Sequence, residues 1–127
     1  MPEIRVVFYR EDDGSVPTIE YLKTLPEKAR DKCIKKIERL KGLGRSLRRP
    51  EADYLRDDIY ELRTQLRNVQ YRLLYFFYGT EAEGNLTAVI SHGTTKRKSV
   101  PPQEIERAID RRRTFFLAPQ RHTQERD

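Results

Sequence analysis

The chain has 127 residues, enough for one domain with one modest core, and is 36% apolar and 36% charged. No run approaches the roughly 20 apolar residues of a membrane span, and residues 1–10 carry no signal-peptide pattern, so a cytoplasmic protein is expected. The net charge of +6 is uneven, with +7 over residues 32–50 and +4 over residues 94–117. Two basic blocks that the fold brings together would attract nucleic acid or an acidic protein.

In chain order, Ile4, Val6 and Phe8 alternate with Arg5, Val7 and Tyr9, which predicts a first strand ended by the acidic-glycine turn 11–14. Residues 17–23 suit a short helix with Ile19 and Leu22 on one face. Thr24 and Glu27 match a capping box for a second helix reaching residues 40–41. On it Cys33, Ile34, Ile37 and Leu40 form one stripe, while Lys32, Lys35, Lys36 and Arg39 lie outside it. Cys33 is the only cysteine, which excludes an intrachain disulfide; its place on the apolar stripe predicts a buried thiol. Gly42 and Gly44 stop the helix, and residues 44–53 read as a loop.

Strands are predicted over 59–63, 71–78 and 86–92, separated by a turn at 64–69 and a polar hairpin loop at 79–85. A basic loop at 93–99 follows. Pro101 and Pro102 suit the start of a last helix, which carries Ile105, Ala108, Ile109 and Phe116 at helical spacing. Residues 1–117 thus form a single domain, and 118–127 a disordered tail in which His122 is given no role. The fold class is α+β: a small antiparallel β-meander with the N-terminal helices on one face, the other face partly open, and a C-terminal helix.

Period-2 alternation sorts the strand residues by face. Ile59, Glu61 and Arg63 share a side, as do Arg72, Leu74, Phe76 and Tyr78. If Leu62 points at the helices, Arg63 points at the open face, and Arg72 reaches the same face if the register allows. Two guanidiniums there offer fork geometry to a phosphate. The alternative is a structural ion pair of Arg63 or Arg72 with Glu61. Lys96, Arg97 and Lys98 follow a strand end and add cations. His92, with an ordinary pKa near 6.5, suits acid–base work, or is structural. Tyr60, Tyr71, Tyr75 and Tyr78 offer rings to bases, or form core. The sequence holds no glycine-rich phosphate loop, no HExxH and no His/Cys metal spacing, so no cofactor and no metal are expected.

The runs YELR (60–63), YRLLYFF (71–77) and SHGTTKRK (91–98), then PPQEIERA (101–108), together with FYREDDGSVPTIEYLKTLPEKAR (8–30), resemble the phage-derived branch of the RelE/HigB toxin superfamily. The resemblance spans about residues 4–116. It implies a RelE-like fold and the toxin half of a type II toxin–antitoxin pair. Such a toxin is an mRNA endonuclease, usually ribosome-dependent, in which the RNA 2′-hydroxyl attacks without a metal. By position Arg72 matches the arginine of the family's Tyr-Arg-Leu strand, Arg63 its Leu-Arg pair, and Lys96, Arg97 and Lys98 its basic loop.

Some relatives carry two lysines where this chain has Ile59 and Glu61, and a catalytic tyrosine near 100–102. Neither is present, so the general base is open among Glu61, His92 and a loop lysine. Substrate contacts are expected from Arg97, Tyr60, Lys35, Lys36, Arg39, Arg48 and Arg49. The expected partners are an antitoxin of helix-turn-helix type, mRNA and the ribosome; no membrane is expected, and a homodimer is allowed. The same fold also serves a gyrase-poisoning toxin or a non-catalytic binding module. On this reading Arg72→Ala abolishes toxicity without unfolding the chain.

Overall fold

The computed structural model describes residues 3–96 and 98–126. Its elements are β1 (Arg5–Tyr9), α1 (Pro17–Lys23), α2 (Glu27–Leu43), β2 (Ala52–Arg56), β3 (Ile59–Leu66), β4 (Val69–Tyr78), β5 (Thr87–Lys96), α3 (Pro102–Leu117) and β6 (Thr123–Gln124). They build an α+β domain on one six-stranded sheet of order β2-β3-β4-β5-β1-β6. Strands β3 to β5 form the expected antiparallel meander, β2 extends it at one edge, and β1 joins it by pairing parallel to β5.

Alternation along the strands fills both faces. Val6, Phe8, Leu62, Leu73, Tyr75, Phe77 and Ile90 bury against α1 and α2, where Leu22, Ala29, Cys33, Ile37 and Leu40 meet them. Burial pushes the Cys33 thiol up to about 11, as expected of an inert core cysteine. The intervening residues Val7, Ile59, Leu74, Phe76 and Val89 face the other way and pack under Ala108 and Phe115 of α3. The second face is therefore open only beyond the N-terminal end of α3. Apolar positions at helical spacing on α3 need a surface to cover, and the sheet supplies it.

Several boundaries differ from the sequence reading. Residues 52–56, read as loop, are the edge strand β2, whose mixed polar character hides its pairing. The turn into β3 is a tight hairpin in which Asp57 and Asp58 both adopt positive φ, 51° and 66°, a conformation acidic residues tolerate. β5 runs on to Lys96, so Gly93–Lys96 are strand and not loop. No capping box forms: Pro26 occupies the cap of α2, and the Thr24 hydroxyl donates to the Tyr21 carbonyl at 2.7 Å.

The segment after Leu117, expected as a disordered tail, makes a 3₁₀ turn and then β6 against β1. His122 is buried there, its ring stacked on Tyr9 at 5.2 Å and its Nδ1 2.8 Å from the Arg10 carbonyl.

Candidate nucleic-acid interface

The register decides which cations meet. Arg63 of β3 lies opposite Arg72 of β4, and Arg72 lies opposite Thr94 of β5. One row further along, Gln65, Gln70 and Lys96 are aligned, and one row back, Glu61, Leu74 and His92. Directly opposed residues point to the same side, so Arg63, Arg72 and Lys96 share the face that α3 leaves free. Lys98 is exposed in the bend that follows, and Arg97 lies outside the described residues.

Arg72 is not free on that face. Its side chain is 7% exposed, and its Nε lies 3.3 Å from Glu61 Oε1. Its Nη1 donates to the Tyr71 carbonyl at 3.2 Å, and its Nη2 bonds Gln70 Oε1. Arg63 is 31% exposed and sits 3.8 Å from Glu61 and 3.9 Å from Asp53. The ion pair held open by the sequence is thus formed, with Glu61 between both arginines. Burial raises the proton affinity of Glu61 against the pull of Arg72 and Arg63, and lowers that of Arg72 against the pull of Glu61.

The pattern repeats along the edge of the sheet. Glu51 takes a forked pair of bonds from Arg39 (2.9 and 2.8 Å) and one from Lys36 (3.3 Å), and is held down to about 2. Asp53 takes Arg49 at 2.7 Å, which depresses its carboxyl. Three carboxylates therefore brace the cations of α2, of the loop before β2 and of the sheet. Beside them lies a cleft of about 770 Å³ lined by Lys32, Lys35, Lys36, Arg39, Arg63 and Gln65, among others. Arg63 belongs both to this cleft and to the Arg72–Lys96 face, so it joins the first basic block to the second.

The family described as phage derived protein Gp49-like (DUF891) matches residues 20–113. That span includes the first basic block, the charged residues of the second and the strands that carry Glu61, Arg63 and Arg72. The chain belongs to the Gp49-like family. No curated protein matches it.

Two residues singled out in this Gp49-like chain stand apart from the cationic face. Tyr60 alternates onto the side of α2, where it stacks on Tyr75 at 5.4 Å and meets Phe77 edge-on. His92 is on the cationic side but 6% exposed, with Nε2 2.9 Å from Glu104 and Nδ1 2.8 Å from the Ser91 hydroxyl. A neutral ring that donates from Nε2 and accepts at Nδ1 satisfies both contacts, and it ties β5 to the first turn of α3. Ser91 is fully buried, so this Ser-His-Glu chain presents no nucleophile. Among the described residues no group of three or more His, Cys, Asp or Glu is placed to hold a metal ion.

Burial holds His92 down to about 4, with Arg111 and Arg107 adding to the effect and Glu104 opposing it. Unfolded, the ring binds a proton below about 6.5. Between those values the unfolded chain takes up a proton that the folded one refuses, so stability falls as pH drops from 6.5 toward 4. We expect a loss of roughly 1–3 kcal/mol across that window, read as a shift in urea midpoint between pH 7 and pH 4.5. His92→Gln should remove the imidazole's share of that slope, leaving Glu61, whose raised proton affinity acts with the opposite sign.

Proposed function

We propose that this Gp49-like chain is the toxin half of a type II toxin–antitoxin pair of the RelE/HigB kind, and that it cleaves mRNA. The observation that carries the reading is Arg63. It stands half-exposed where the basic cleft of α2 meets the arginine-bearing face of the sheet. An RNA backbone lying along the cleft meets Lys32, Lys35, Lys36 and Arg39, then reaches Arg63 and Lys96.

In the reaction, the 2′-hydroxyl oxygen bonds to the adjacent phosphorus as the bond to the 5′-oxygen breaks. Arg63 and Lys96 stabilise the charge that gathers on the phosphate. Arg72 acts through Glu61 and is a positioning residue. Glu61 is the acid–base candidate on this face, because burial moves its proton affinity toward neutrality. A proton leaves the 2′-hydroxyl for that carboxylate and is later returned to the 5′-oxygen. An antitoxin, mRNA and the ribosome are the proposed partners.

A non-catalytic binding module is the second reading, favoured by the carboxylate already held against Arg72. Expression in cells with mapping of mRNA ends separates the two. In-frame cuts support the nuclease, uncut message with captured RNA supports the module, and a DNA-damage response points to gyrase poisoning. Arg63→Ala removes only weak pairs near 3.8–3.9 Å, so it should cost about 1 kcal/mol or less of stability. We expect it to abolish growth arrest and cutting; full cutting by this variant would end the role given to Arg63.

A further inference from the structure

Tyr54 is 51% exposed on the edge strand β2, and nothing in the cationic face accounts for it. The ring is not loose. Its hydroxyl accepts the Asp58 amide at 3.1 Å, and its edge meets Tyr60 at 5.1 Å and 72°. From Tyr60 the aromatic contacts run inward to Tyr75 and Phe77, and the Arg45 guanidinium lies over the Phe77 ring at 4.4 Å. A half-exposed ring whose orientation is fixed from behind can receive a flat partner at little cost in side-chain entropy.

The surroundings say which flat partner. Tyr54 alternates to the side of the sheet that carries α2, and so shares a side with the basic cleft. Arg45, over Phe77, and Arg48 and Arg49, in the turn that leads into β2, are all exposed in a segment of net charge +7, with Arg49 paired to Asp53. Tyr54 is paired with Tyr60, and Arg63, three residues further along β3, points to the other side of the sheet and reaches the cleft at its edge. An exposed ring beside a run of cations suits a single strand, whose bases are free to stack while its phosphates follow the charge. A duplex keeps its bases stacked on each other, and a protein strand added to β2 has no use for the surplus of arginine.

We infer that Tyr54, backed by Tyr60 and following the exposed Arg45 and Arg48, is a stacking subsite for one unpaired nucleobase of a single-stranded RNA whose backbone runs through the α2 cleft. The subsite deepens the RNA reading above and rests on it. It makes the chain selective for unpaired RNA before any chemistry occurs.

The test uses the full chain and a labelled RNA hexanucleotide, with binding followed by fluorescence anisotropy. A sugar-phosphate hexamer without bases and a hexanucleotide duplex serve as controls. Tyr54→Ala should weaken the single strand roughly 5- to 150-fold, the range of one lost base stack. It should leave the slope of affinity against salt unchanged, because no phosphate contact is removed. Tyr54→Phe keeps the ring and should bind as the wild type does, and the base-free hexamer should not distinguish the three proteins. Equal binding of the hexanucleotide by wild type and Tyr54→Ala, with Arg63→Ala weakened, would overturn the subsite while leaving the RNA reading in place. Binding by neither wild type nor variants would overturn both.

Discussion

Arg72→Ala is expected to lower folding stability by about 3–5 kcal/mol, seen as a large fall in the urea midpoint. The side chain is 7% exposed and its partner Glu61 is 8% exposed, so the substitution strands a carboxylate in a dry site. The remaining cation near it, Arg63, is 3.8 Å away and partly solvated, too weak a partner to compensate. This changes the expectation drawn from sequence, that the alanine variant would lose toxicity with its fold intact. An inactive Arg72→Ala protein would then reveal only that it unfolds. The informative variant removes both charges: Arg72→Met with Glu61→Leu should recover most of the stability, since apolar replacement of a buried pair is often neutral or favourable. If that folded double variant still cuts RNA at the wild-type rate, neither Arg72 nor Glu61 has the function proposed for it. A double variant no more stable than Arg72→Ala would show that the pair is not what holds this corner of the sheet.

Gly93→Ala should be the second large effect. An added Cβ would lie 2.0 Å from Cδ2 of Tyr21, whose ring rests on the glycine. That ring cannot simply swing aside. Its hydroxyl is hydrogen-bonded to the Thr95 hydroxyl at 2.8 Å, and burial pushes its pKa up to about 12. Overpacking of this kind costs about 1–3 kcal/mol. The ring holds α1 against β5 two residues before Thr95 and three before Lys96, so the insult also reaches the cationic end of the strand. A double-mutant cycle with Tyr21→Ala tests the cause: the glycine substitution should become nearly harmless once the ring is gone. Unchanged loss in the Tyr21→Ala background would place the strain elsewhere.

Much of this molecule was legible in its residues because period and charge are local properties. Alternation put Leu62 and Arg63 on opposite sides of the sheet, and the run of aromatic residues in β4 marked its centre. The same rule assigned Arg72 to the face of Leu74 and Phe76, where it is found. The single cysteine on the apolar stripe of α2 is buried as expected. The phage-derived character of the resemblance carried by YELR, YRLLYFF and SHGTTKRK agrees with the Gp49-like family match over residues 20–113.

Other features were beyond local reading. Strand β2 looks like a loop because an edge strand needs apolar residues on one side only, and the Asp57-Asp58 turn is the one local signal of its hairpin. Tyr60, expected to contact substrate, instead packs on Tyr75 and Phe77, on the side opposite Arg63 that alternation already required.

The sequence by itself determined the strand faces, the helix stripes, the two basic blocks and the fold class, since each follows from spacing along a single element. Only the tertiary structure decided how those elements stand toward one another. It set α3 over half of the second sheet face, drew the last residues onto β1, and brought Glu61 between Arg63 and Arg72. Whether a cation is free to meet a ligand depends on what lies opposite it across a strand pair, and no periodicity within one strand contains that.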